Sequence, residues 1–353
     1  MQYAVYDGKN TIHSNFPERS YPNAKIAAVN SYQLKQLQGR KLIMAKELSN
    51  QAKWKPWKGV VLFVIAFFVV VAGSVATLFI GTYGTLITQF ALLGIAVAAC
   101  LINKTPLKEV FPLKKITLRD FFGTVLMWIG IVPLGFISSL AIGSLMPDIF
   151  AGVASDVHNI ATGVAILGFV ATVICPPVCE EAVMRGAILS NFRGVKKDWV
   201  IILVVAVMFG LLHMDPVRLI NTSLLGACMA YIMVKRNNII LPAMFHLLNN
   251  FVFVGISSIL SLFSGFELDQ TVQSAELTES VNEMVNQIPL YMIAAFLCPM
   301  ILAIGAHLIK RQKEISEGEE KSGMKLGAKI GLSVIPCIML LGGGLLLTAC
   351  SVK

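Results

Sequence analysis

The chain has 353 residues, of which 56% are hydrophobic and only 14% charged, with a mean hydropathy of +0.73. A soluble globular chain carries about 25% charged residues, so this composition excludes one and predicts a polytopic membrane protein. The net charge of +9 does not argue for a nucleic-acid partner, because the basic residues collect in short segments between apolar spans, as the positive-inside rule requires.

Residues 1–58 read as a polar, basic arm with no apolar run near Met1, so no cleavable signal is expected. The arm closes on Lys53, Trp54, Lys55, Trp57 and Lys58, interfacial aromatics and snorkelling cations that suit a cytoplasmic membrane surface. Two spans follow, Gly59 to Ile80 and about Thr85 to Ile102, and then a basic interfacial loop, Lys104 to Arg119, which together make a segment 59–120.

The third span runs from about Phe121 to Met146, and the loop after it carries Asp148 and Asp156 but no Lys or Arg. The fourth, about Ile160 to Leu189, holds Glu180 and Glu181 and is closed by Arg193, Lys196 and Lys197. The fifth, Trp199 to His213, is short for a crossing; the sixth is Val217 to Val234 and the seventh Ile239 to about Phe263. An acidic loop, Glu267 to Glu283, precedes an eighth span, Ile288 to Ile309, a basic stretch, Lys310 to Lys325, and a ninth span, Leu326 to Ala349. The fold class is therefore all-α, a transmembrane helix bundle of about nine spans, with a core at 121–263 and a carboxy-terminal part at 264–353. Basic clusters alternate from side to side, with only Arg218 and Lys353 out of place, which puts the amino terminus in the cytoplasm and the carboxyl terminus outside.

Charge inside the fourth span is costly, and an intramembrane ionisable group faces the bundle interior or water. Helical spacing divides the two glutamates. Glu181 and Arg185 are i,i+4 neighbours that neutralise each other, whereas Glu180 points about 100° away and is left unpaired. Pro176 and Pro177 just before it predict a kink or restart that frees backbone groups near the carboxylates.

Three more polar groups lie in apolar spans. His213 closes the fifth, with Phe209 one turn earlier on the same face, and His246 and Asn250 share a face of the seventh. Counting from the nearest cytoplasmic polar residues places Glu180 roughly 18 Å deep, His213 roughly 21 Å, His246 roughly 12 Å and Asn250 roughly 18 Å. A carboxylate, two imidazoles and an amide at one level suit water activation with oxyanion stabilisation, or the ligands of a metal. A lone His or Asn in a membrane helix also serves as interhelical glue.

Glu180-Glu181-x-x-x-Arg185, Phe209-x-x-x-His213 and His246-x-x-x-Asn250, in that order on successive apolar segments, resemble the motifs of the CPBP intramembrane proteases, also called the Abi or CAAX-prenyl-protease family. The resemblance covers about Phe121 to Phe263. It implies hydrolysis of a peptide bond in a membrane-associated peptide or protein, with Glu180 as general base assisted by His213, His246 and Asn250 binding the oxyanion, and Glu181, Arg185 and Phe209 supporting the site. The family admits two chemistries, and a metal-free glutamate mechanism with no cofactor is favoured here over zinc held by His213, His246 and Glu180, since the chain has no His-Glu-x-x-His helix. A non-catalytic membrane partner or bacteriocin self-immunity protein of the same fold, or a proton-coupled transporter, are the competing functions; a transporter would more often show two related halves.

Overall fold

The computed structural model describes residues 5–7, 10–12, 54–146, 149–150, 166–255 and 288–309. The chain divides into two units, Met1–Lys53 and Trp54–Lys353. In the first, strands β1 (Val5–Asp7) and β2 (Asn10–Ile12) form a short antiparallel ladder with Val5 opposite Ile12. This ladder departs from the all-helical expectation; the second unit is helical throughout its described secondary structure.

Helix α1 (Pro56–Ile80) starts with proline in its first turn, where the missing N–H costs nothing. It turns at Gly81, whose φ of 55° falls in the left-handed region that glycine enters without strain, into α2 (Thr82–Ile102). A one-turn helix α3 (Leu107–Val110) sits in the basic loop. Helix α4 (Leu118–Gly143) begins in a reciprocal cap, Thr117 accepting from the Asp120 N–H while Asp120 accepts from the Thr117 N–H.

Helix α5 (Ile166–Ile188) contains two π-helical turns, Val170–Ile174 and Ala182–Ile188. After it come α6 (Asp198–Leu212), α7 (Leu219–Arg236) and α8 (Ile240–Gly255), the last ending in a further π turn, Phe251–Gly255. Then α9 (Ile288–Ala294) and α10 (Cys298–Leu308) run through a 3-10 turn, Ala295–Leu297.

Five stretches are long and apolar enough to cross a membrane: Pro56–Ile80, Thr82–Ile102, Leu118–Gly143, Ile166–Ile188 and Leu290–Leu308. The count of about nine is thus not confirmed among the described residues. Asp198–Leu212 and Ile240–Gly255 are apolar but short, and α7 carries Asn221, Thr222, Ser223, Lys235 and Arg236 in its 18 residues. The expected ninth span, the arm beyond its ladder, the acidic loop Glu267 to Glu283 and the basic stretch from Lys310 lie outside the described residues. The several long apolar helices make this a multi-pass membrane protein. Leu78 and Phe79 on α1 are 84% and 82% exposed, as a surface solvated by lipid tails demands.

The helices that carry polar groups pack inside. α2 lies against α5, α8 against α5, α4 and α7, and α6 against α7. α4 and α10 approach closely through small residues: a Cβ on Gly130 would stand 2.7 Å from the Leu302 nitrogen.

One end of the bundle is tied by polar contacts. Arg236 at the close of α7 grips Asp120 through Nε–Oδ1 at 2.7 Å and Nη2–Oδ2 at 2.8 Å, both side chains buried. Asn238 clasps the Lys114 backbone in both directions, 3.2 Å to its N–H and 2.9 Å to its carbonyl, and accepts from the Ile240 N–H that opens α8. Burial lowers the Lys114 ammonium below the ordinary lysine value, and Arg236 and Arg193 add to the effect. These contacts fix where α8 begins, and hence the position of His246 two turns later.

Candidate active site

Helix α5 is shaped by Pro176 and Pro177. Neither has an N–H to give, so the Thr172 carbonyl has no donor at i+4 or at i+5. The backbone passes this point through the first π turn, with the Cys175 N–H bonded to Val170 O. Rather than breaking the helix, the two prolines shift its hydrogen-bond register, and π turns of this kind recur at functional sites. Asn250 Nδ2 reaches across from α8 and donates to Thr172 O at 3.1 Å.

One helical turn beyond the prolines, the two glutamates separate as spacing requires. Glu181 Oε1 takes Arg185 Nη1 at 2.8 Å, with both side chains at the centre of the bundle. The same oxygen faces His246 Nδ1 at 3.0 Å. A carboxylate paired with a guanidinium only accepts, so Nδ1 carries the hydrogen and Nε2 of the neutral imidazole presents a lone pair. That Nε2 faces Glu180 Oε2 at 4.0 Å.

Glu180 is 14% exposed in its side chain. Its Oε1 accepts from Gln89 Nε2 at 2.9 Å, while Oε2 is buried and without a hydrogen-bond partner. Gln89, on α2, was not among the residues singled out from the sequence.

Arg185 is held by more than charge. Its Nη2 donates to Gly226 O at 3.3 Å, and its Cζ lies 4.3 Å above the Phe209 ring. Phe209 in turn meets His213 and His246 edge to face, at centroid distances of 4.9 and 5.7 Å. His213 caps α6, and its Nδ1 donates to the Phe209 carbonyl at 2.9 Å. It lies within electrostatic reach of Glu180 and His246.

The structure thus gathers Glu180, Glu181, Arg185, Phe209, His213 and His246 in one cluster. Asn250 borders it, but its hydrogen bonds run to Thr172 and, at 3.5 Å, from Asn249. Asn249 is held by Trp128 Nε1 of α4 at 3.3 Å. Pairing His246 with Glu181 was not expected either, because i,i+4 spacing reports neighbours within a helix and says nothing about neighbours across helices.

Both imidazoles are oriented through Nδ1, as metal-ligating histidines are. Among the described residues, however, no three His, Cys, Asp or Glu side chains are grouped to hold a metal ion. Zinc takes three or four such ligands, and no step below passes through a metal.

Residues 162–252 match the model of a family described as type II CAAX prenyl endopeptidase Rce1-like. No curated protein and no solved structure matches the chain. The matched stretch takes in Glu180, Glu181, Arg185, Phe209, His213, His246 and Asn250 and leaves out Gln89. That match, with the three motifs inside it, supports membership of the CPBP, or CAAX-protease, family of membrane proteases for the stretch 162–252.

Proposed function

We propose that the protein is an intramembrane endopeptidase that hydrolyses a peptide bond of a membrane-associated peptide or protein with a water activated by Glu180. The observation that carries this reading is the gap between Glu180 Oε2 and His246 Nε2. At 4.0 Å it is too long for a direct hydrogen bond, and both atoms are acceptors. A water bridging them would donate a hydrogen to each.

Glu180 takes the proton as the water oxygen adds to the scissile carbonyl, with His213 beside it. The oxyanion is met by the second N–H of the Asn250 amide, the first being given to Thr172. Glu181, accepting from Nδ1, leaves the His246 Nε2 lone pair to hold the second hydrogen of the water. Glu180 then passes its proton to the departing amine nitrogen. The arm and the carboxyl terminus lie on opposite sides in this reading, cytoplasmic and outside respectively, with nine crossings in all.

Comparing the membrane peptides of cells carrying wild type or Glu180→Gln by mass spectrometry tests the reading. Substrates should accumulate uncut in the variant at wild-type protein abundance; identical peptide profiles would overturn it in favour of a non-catalytic membrane partner. Purified wild type should carry no stoichiometric zinc by elemental analysis, and one zinc per chain with activity lost on chelation and restored by zinc would replace the glutamate mechanism with a metal one.

A further inference from the structure

Helix α2 buries Gly84, Thr88, Gln89, Leu92, Ala96, Ala99 and Cys100 against its neighbours α1 and α5. Apart from Thr88 and Gln89 these residues are small or apolar, and Thr88 satisfies its hydroxyl locally on Gly84 O. Gln89 is different. It is 7% exposed, too long to bond its own helix turn unnoticed, and burying a primary amide costs free energy unless its atoms find partners.

The amide satisfies only one end. Nε2 donates to Glu180 Oε1 at 2.9 Å, while Oε1 is buried without a partner. The reverse orientation of the amide would set its carbonyl against a carboxylate oxygen, acceptor on acceptor, so the partner fixes the assignment. A side chain serving only to join two helices would gain most by satisfying both ends. This one leaves its carbonyl orphaned and spends its donor on the carboxylate whose other oxygen faces the water gap.

The terminal torsion of a glutamate is broad and two-fold. Fixing one oxygen fixes the carboxylate plane and therefore the direction of the other. We infer that Gln89 is a positioning residue for catalysis: its amide holds Glu180 Oε1 so that Oε2 points at the water in front of His246. The inference rests on Glu180 acting as the base. It also means that the site is incomplete within residues 162–252, since the residue that orients the base comes from a helix before that stretch.

The test uses full-length protein in detergent, with glutamate labelled by ¹³C at its side-chain carboxylate, and compares wild type, Gln89→Met, Gln89→His and Glu180→Gln. Methionine keeps the length and removes the donor; histidine restores an N–H at similar reach. The infrared carboxylate band that Glu180→Gln deletes should shift in Gln89→Met. Turnover is measured on synthetic copies of the peptides that accumulate in Glu180→Gln membranes. There kcat should fall on the order of tenfold in Gln89→Met, the scale of a lost hydrogen bond to a charged group. KM should stay within about twofold, because substrate binding is untouched, and Gln89→His should recover most of the rate. If methionine prevents folding, Gln89→Leu, also without an amide donor, reads out the same loss.

An unmoved Glu180 band, or wild-type kcat in a folded Gln89→Met, would overturn the inference. So would a rate loss that follows thermal stability and is not rescued by histidine, which would make Gln89 helix packing. Glu180→Gln turning over at the wild-type rate would instead remove Glu180 as the base, whatever Gln89 does.

Discussion

Asn250 donates its side-chain amide to the carbonyl of Thr172 at 3.1 Å, a backbone oxygen that Pro176 and Pro177 together deprive of both helical donors. One side chain therefore repairs the irregularity in α5 from across the helix interface. Asn250→Ala should lower stability by about 1–3 kcal/mol through an unsatisfied buried carbonyl, read as a lower thermal midpoint in detergent. Asn250→Asp should do the same and in addition lose on the order of a hundredfold in turnover, the scale of one oxyanion donor. Turnover above a tenth of wild type in Asn250→Asp would remove the amide from the chemistry.

Glu181 accepts from Arg185 and His246 through the same oxygen, at 2.8 and 3.0 Å. Glu181→Gln keeps the shape but strands the Arg185 charge in the centre of the bundle, and should cost about 3–5 kcal/mol. Low abundance and a lowered unfolding midpoint are expected, in contrast to Glu180→Gln, which should remain abundant and folded. Equal midpoints for the two variants would show that the pair is dispensable to the fold.

Gly226 lets α7 approach α6 where Phe209 stands. A Cβ there would sit 3.0 Å from Phe209 Cδ1 and 3.3 Å from the Ala206 Cα. Gly226→Val should therefore push the Phe209 ring from beneath Arg185 and disturb both histidines that lean on it. A loss of about 1–3 kcal/mol in stability is expected, with a larger proportional loss in turnover than Gly226→Ala gives. Wild-type activity in Gly226→Val would show that the ring does not set the histidines.

Topology can be read by labelling. Single cysteines placed near Asp156 and Glu279 in a cysteine-free background should react with an impermeant thiol reagent from outside intact cells, and one near Lys313 should not. Labelling at Lys313 would overturn the nine-crossing arrangement.

How much of this was legible beforehand follows from the range of each physical rule. The Glu181–Arg185 pair and the divergence of Glu180 are consequences of 3.6 residues per turn and need no partner helix. That Pro176 and Pro177 disturb α5 was equally local; which side chain would answer the freed carbonyl was not, because it depends on how α8 packs on α5. Gln89 left a faint signal, an amide in an otherwise apolar stripe, yet spacing within α2 says nothing about the helix it meets. Fewer described helices than apolar runs are long enough to cross, because hydropathy marks an apolar run without marking where its helix stops. Asp198–Leu212 and Ile240–Gly255 are apolar along most of their length but end early, and α7 is as long as a crossing but polar enough to need burial among its neighbours.

The brevity of α6 has a consequence for the lipid around it. Its 15 residues rise only about 22 Å, some 8 Å less than a bilayer's hydrocarbon core. Lipid answers such a hydrophobic mismatch by thinning, at a fraction of a kcal/mol per Å. His213 stands at the very end of this short helix, so thinning where α6 meets lipid would bring the headgroups nearer to the candidate site. Turnover should therefore depend on acyl-chain length, falling in thick bilayers that resist the dimple and rising in thin ones that already match it.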